Sequence, residues 1–189
     1  GTLQLHGGEL NIAKNVSIRA PLGQPITLDA QNVSHNLLVS SYVHLQLEGL
    51  VLENGQADAG GAIRARYRSQ LMLRDSTFKN NLAAGNGGAV LAEVGAMITA
   101  HDTSFEGNSA GGNGGAIRAE SGSILSLVDS SFSTNTTVDG GGAIYSRGLL
   151  ESEATTFTQN RAQDGGAIYG ASGVVLLMAD THFEQNQAA

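Results

Sequence analysis

One tetrapeptide, Gly-Gly-Ala-(Ile/Val), returns five times along this chain and constrains the fold more than any other feature. It stands at Gly60-Gly61-Ala62-Ile63, Gly87-Gly88-Ala89-Val90, Gly114-Gly115-Ala116-Ile117, Gly141-Gly142-Ala143-Ile144 and Gly165-Gly166-Ala167-Ile168. Successive copies are 27, 27, 27 and 24 residues apart. A second motif, Phe-x-x-Asn, runs in phase with it, at Phe78…Asn81, Phe105…Asn108, Phe132…Asn135, Phe157…Asn160 and Phe183…Asn186. A repeat of this length cannot bury its own apolar face and has to stack on its neighbours.

The segments between the motifs alternate apolar and polar residues. Seven residues before each Phe stand Leu71, Ile98, Leu125, Leu150 and Leu176, and five before stand Leu73, Ala100, Leu127, Ser152 and Met178. Two apolar columns two residues apart describe a strand with one buried face. The residues after Gly-Gly alternate likewise, as in Ile63/Ala65 and Ile117/Ala119. No helical period is present. The reading is an all-β chain, a right-handed parallel β-helix with about three short strands per coil. Its hand follows from the general preference of parallel crossovers. Residues 60–189 make five motif-bearing coils. Residues 1–59 alternate more loosely, at Leu10/Ile12, Val16/Ile18, Ile26/Leu28 and Leu37/Val39, and are read as two or three degenerate coils. There Leu50-Val51-Leu52-Glu53-Asn54 is expected to fill the Phe-x-x-Asn place. About seven or eight coils form a single segment, expected to be part of a longer protein.

Composition supports a packed solenoid and removes several alternatives. Apolar residues are 41% of the 189, enough for a core, and Gly is 26. Charged residues are only 14%, which is not the balance of a disordered chain. There is no Cys, so disulfide frameworks, zinc–thiolate sites and Cys nucleophiles are excluded. The net charge of −7 disfavours nucleic acid, and no apolar run is long enough for a membrane span.

Each repeated residue has a physical role. Gly-Gly at a corner supplies positive φ or close backbone approach. Phe78, Phe105, Phe132, Phe157 and Phe183 would stack along the core axis. Asn81, Asn108, Asn135, Asn160 and Asn186 would form an amide ladder at an inward turn. Asp75, Asp102, Asp129 and Asp180 form a further column, broken by Ala154. Local turn bonding accounts for those aspartates better than a calcium ladder, since the chain lacks a calcium-binding nonapeptide. No metal and no cofactor is expected.

The outward positions after Gly-Gly-Ala-Ile are the informative surface. One column reads Arg64, Leu91, Arg118, Tyr145, Tyr169, and the next reads Arg66, Glu93, Glu120, Arg147, Ala171. Arg64, Arg118, Tyr145, Tyr169, Arg66 and Arg147 are the candidate ligand-binding residues, suited to a glycan or a protein edge. The competing account is a ladder of ion pairs, Arg66–Glu93 and Glu120–Arg147, that keeps the face soluble. No catalytic constellation emerges. The five His share no metal-ligand spacing, and the carboxylates recur by coil rather than gathering at one site. The chain is read as a non-enzyme. Sequons occur at Asn15, Asn32 and Asn135, the last on the ladder, where a glycan would not fit the core.

The phased Gly-Gly-Ala-(Ile/Val) and Phe-x-x-Asn motifs of residues 60–189 resemble the repeats of the chlamydial polymorphic outer-membrane proteins. That resemblance implies an autotransporter-like adhesin, with a β-helical passenger outside the cell and a membrane barrel elsewhere in the protein. It implies an extracellular or outer-membrane location and a glycan or cell-surface protein as partner. Two other readings stand beside it. One is a carbohydrate-active lyase or epimerase with its site outside this segment. The other is an extracellular filament subunit joined end to end through exposed sheet edges.

Overall fold

Each strand pairs in parallel with the strand one coil away, and motif residues stand over their counterparts. Phe78 pairs with Phe105, Val90 with Ile117, and Ile98 with Leu125. The computed structural model describes residues 1–189 as strands and turns, with no helix. The strands stack into a parallel β-solenoid of about seven turns.

Four sheets run the length of the solenoid, not three. The post-glycine sheet has seven strands, including Ile63–Ala65, Val90–Ala92, Ile117–Ala119, Ile144–Ser146 and Ile168–Gly170. The long-strand sheet has seven, from Val16–Arg19 and His44–Glu48 through Gln70–Arg74, Met97–His101, Ile124–Val128 and Leu149–Glu153 to Val175–Ala179. The phenylalanine sheet has eight, from Thr2–Gln4 to His182–Glu184. The fourth sheet has six strands of two residues each, such as Leu82–Ala83 and Ser109–Ala110, directly after the ladder position. Two residues are too few for alternation to show, which is why sequence reading finds only three strands per coil.

The inward columns form one cluster of 31 buried residues. Phe78, Phe105, Phe132 and Phe157 are fully buried. Their rings and that of Phe183 stack at centroid distances of 4.8, 4.6, 4.9 and 5.1 Å, within 12° of parallel. Strand spacing imposes this face-to-face geometry, because each ring sits one coil above the last. Phe183, on the last rung, is half exposed.

Beside the rings runs an amide ladder. The Nδ2 of Asn81, Asn108, Asn135 and Asn160 donates to Oδ1 of the next Asn at 3.0, 2.9, 3.0 and 2.9 Å. The same nitrogens donate to the carbonyls of Leu52, Phe78, Phe105 and Phe132 one coil earlier. Each Oδ1 also accepts a backbone N–H, as Asn108 Oδ1 does from Asn81. Both amide protons and the oxygen of every interior rung are therefore used, which a low-dielectric core requires.

The ladder ends differently from the sequence expectation. Leu52 does pair with Phe78, but Asn54 lies one residue short of the ladder place, which falls on Gly55. Gly55 N–H donates to Asn81 Oδ1 at 2.8 Å. The missing amide comes from the turn that precedes strand Leu37–Val39. Asn36, fully buried, donates through Nδ2 to Leu28 O at 2.7 Å and Glu53 O at 3.2 Å. Leu28 is the residue paired with Leu52, so Asn36 makes the carbonyl bond a rung at position 55 would make. A side chain at Gly55 would collide with Asn36 Oδ1.

The aspartate column marks a left-handed corner. Asp75, Asp102, Asp129, Ala154 and Asp180 have φ of 45°, 48°, 48°, 46° and 46°. Asp adopts that conformation at lower cost than Ala, so backbone geometry accounts for the column. The second glycine of each pair answers a different constraint. A Cβ on Gly115 would overlap the carbonyl oxygen of Gly142 and crowd that of Thr136.

Candidate binding faces

The post-glycine strands bring Arg64, Leu91, Arg118, Tyr145 and Tyr169 into one outward column, each paired with the next. Arg118, Tyr145 and Tyr169 form a continuous stack. The Arg118 guanidinium lies 4.2 Å from the Tyr145 ring centroid, and the two phenol rings are 5.0 Å apart and 11° from parallel. Arg118 is 8% exposed, so this cation–π contact sits in a largely desolvated place. Tyr145 is covered on both ring faces, by Arg118 and by Tyr169, whereas Tyr169 stands on the last strand of the sheet and is stacked on one face.

The guanidinium groups divide into two kinds. Arg64 pairs with Glu93 at 2.8 Å, Arg118 with Glu120 at 3.1 Å, and Arg147 with the other Glu120 oxygen at 3.7 Å. The expected Arg66–Glu93 pair is replaced by Arg64–Glu93, because the Arg64 side chain crosses one coil and two residues to reach that carboxylate. Arg66 makes no ion pair and is exposed. The two columns carry four Arg against two Glu, so the face keeps a net positive charge, and its exposed pairs contribute at most about 1 kcal/mol each.

Two residues beneath this face escaped sequence reading. Asn86 Oδ1 accepts the Asn113 N–H at 2.9 Å and an Arg118 Nη1 hydrogen at 3.4 Å. Asn113 Oδ1 accepts the Gly140 N–H at 3.2 Å. They form a second, shorter amide ladder that holds Arg118 in place. The signal was the Asn immediately before Gly-Gly in two successive repeats.

The long-strand sheet presents another outward face. His44, Gln70, Met97, Ile124, Leu149 and Val175 occupy one column. Arg74, His101, Val128 and Glu153 occupy another. Met72, Met97, Val175 and Leu177 are exposed apolar side chains here. Sequence reading treated these positions only as the polar half of an alternation.

At the neighbouring corner His101 Nδ1 lies 2.6 Å from an Asp102 oxygen, and Nε2 lies 3.8 Å from an Asp129 oxygen. These three exposed side chains bring ligand atoms within 4.8 Å of one another. Register makes the juxtaposition, since His101 ends one long strand and the aspartates occupy the left-handed corner of consecutive coils.

No helix is long and apolar enough to cross a membrane. No curated protein and no solved structure matches the chain significantly. The Chlamydia polymorphic membrane protein (Chlamydia_PMP) repeat matches at four places, residues 75–93, 102–120, 129–147 and 154–171. Each match runs from the left-handed corner through Phe-x-x-Asn and Gly-Gly-Ala to the outward column described above. These four stretches are thus similar to polymorphic membrane protein repeats, and each carries one rung of the Phe and Asn ladder.

Proposed function

We propose that this chain is a β-helical passenger segment displayed at an extracellular or outer-membrane surface, where it binds a glycan or a cell-surface protein through the post-glycine face. The repeat family and the solenoid are those of a surface-exposed passenger-like segment. The observation that carries the binding reading is the division of polar groups on that face. Arg64, Arg118 and Arg147 are occupied by Glu93 and Glu120. The hydroxyls of Tyr145 and Tyr169 and the Arg66 guanidinium have neither a partner within the chain nor a buried position. A rigid backbone thus holds two phenol hydroxyls and one free cation in fixed register. Such pre-organised groups bind with little ordering cost.

Retention on a panel of immobilised neutral and acidic polysaccharides and on cell-surface protein extracts tests this reading. Retention that falls at least tenfold in Tyr145→Phe/Tyr169→Phe and in Arg66→Ala, with circular dichroism unchanged, supports it. Shortened glycan chains in the eluate would replace binding with catalysis. Retention untouched by these substitutions would move the site off this face.

A further inference from the structure

The long-strand face is the widest flat surface of the molecule. Its strands are mostly five residues long and seven deep. At about 3.3 Å per residue and 4.8 Å per strand, it covers roughly 16 by 30 Å. Two such faces in contact would bury on the order of 1,000 Å², the lower limit for a specific interface.

The residues on this face complement themselves. Met97 and Ile124 are adjacent in the first column, with Leu149 next. In the other column, Arg74 stands one strand before His101 and Glu153 one strand after Val128. Arg74 and Glu153 are exposed and form no ion pair within the chain. They lie at equal distances on opposite sides of the line between strands Met97–His101 and Ile124–Val128.

We propose that two copies of this segment associate through their long-strand faces about a two-fold axis parallel to the strands and lying between those two central strands. This operation keeps each column over itself and reverses the order of coils. Met97 then faces Ile124 of the second copy, and Arg74 faces Glu153 of the second copy, each contact occurring twice. Face-to-face sheets with aligned strands are an ordinary packing mode. The other two-fold, along the solenoid axis, sets Leu149 over Glu153 and Glu151 over Glu151. It opposes like carboxylates, whereas the strand-parallel axis sets Met72 over Glu151 of the second copy but brings no like charges together, so the strand-parallel axis is the one the residues favour.

Sedimentation equilibrium of the 19.4 kDa chain from micromolar to near-millimolar concentration tests this proposal. The expected mass rises towards twice the monomer and stops there. Arg74→Glu should weaken association about tenfold, and adding Glu153→Arg should restore it. Because the chain has no Cys, single-cysteine variants Met97→Cys and Ile124→Cys report geometry directly. Mixed and treated with a bis-maleimide about 10 Å long, they should cross-link unlike copies, since facing sheets lie about 10 Å apart. A monomer at all concentrations would overturn the proposal. So would failure of that cross-link, or growth past the dimer that ignores both charge substitutions.

Discussion

Replacing Asn108 by Ala tests whether the amide ladder holds the solenoid together. Asn108 is fully buried and makes four hydrogen bonds. Its Nδ2 donates to Phe78 O at 3.0 Å and to Asn135 Oδ1 at 2.9 Å. Its Oδ1 accepts the Asn81 N–H and an Asn81 Nδ2 hydrogen, both at 3.0 Å. Asn135 Oδ1 keeps the Asn108 backbone N–H in the variant. The Asn81 N–H, one Asn81 amide proton and the Phe78 carbonyl are left without this partner in a core that excludes water. Each buried orphan costs about 1–3 kcal/mol, so the expected loss is roughly 3–9 kcal/mol. That is a large share of the ~5–15 kcal/mol by which domains are stable. The matched control is Asn186→Ala on the last rung, where water can replace Oδ1 and the expected loss is about 1 kcal/mol. Urea unfolding followed by circular dichroism gives both numbers. Amide exchange at Asn81 adds a local readout, since a solenoid can open coil by coil. A loss below about 1.5 kcal/mol for Asn108→Ala, or one equal to that of Asn186→Ala, would refute the ladder argument.

Four further outcomes follow from other positions. Gly115→Ala should abolish soluble expression or cost more than about 3 kcal/mol, because its Cβ meets only backbone carbonyls, of Gly142 and Thr136. Gly122→Ala, in open space at φ +70°, should cost only about 1 kcal/mol by thermal unfolding. Ala154→Asn should raise the melting temperature by about 2–4 °C, since Ala154 is held at φ 46° where its column otherwise carries Asp; a fall in melting temperature would contradict the corner assignment. Phe132→Ala should cost about 3–5 kcal/mol in chemical denaturation, since it breaks the ring stack at its centre and leaves a cavity that neighbouring coils cannot fill.

The parts of this fold that were legible in the sequence are those that repeat. Phe, Asn and Gly-Gly-Ala fill inward places where one side chain suits every coil, so spacing alone reveals coil length and stacking. The fourth sheet was hidden because a strand of two residues has no period. The rung supplied by Asn36 was hidden because it reaches position 55 from the turn before strand Leu37–Val39, which no linear motif encodes. The outward columns were readable as columns, from register, but their partners were not. Long side chains choose among neighbours on adjacent coils, and Arg64 rather than Arg66 reaches Glu93 for that reason.

That difference between inward and outward positions is itself an argument about what the chain is for. On one post-glycine strand position, facing in, the five coils carry Ile63, Val90, Ile117, Ile144 and Ile168. One residue later, facing out, they carry Arg64, Leu91, Arg118, Tyr145 and Tyr169. The backbone is the same at both positions and the neighbours are in the same register, so backbone preference cannot produce the difference. The inward side chain must match those above and below it in a close-packed core, where a single methylene is felt. The outward one is under a looser constraint: Leu91 and Arg118 are nearly covered by their neighbours, but no single side-chain shape is required from coil to coil. The ladder thus separates the two requirements: Phe and Asn hold the coils, and the outward columns can change without unfolding them. A solenoid of this kind suits the display of variable side chains at a fixed spacing, and the stacked Arg118, Tyr145 and Tyr169 are where this chain departs most from a plain soluble face.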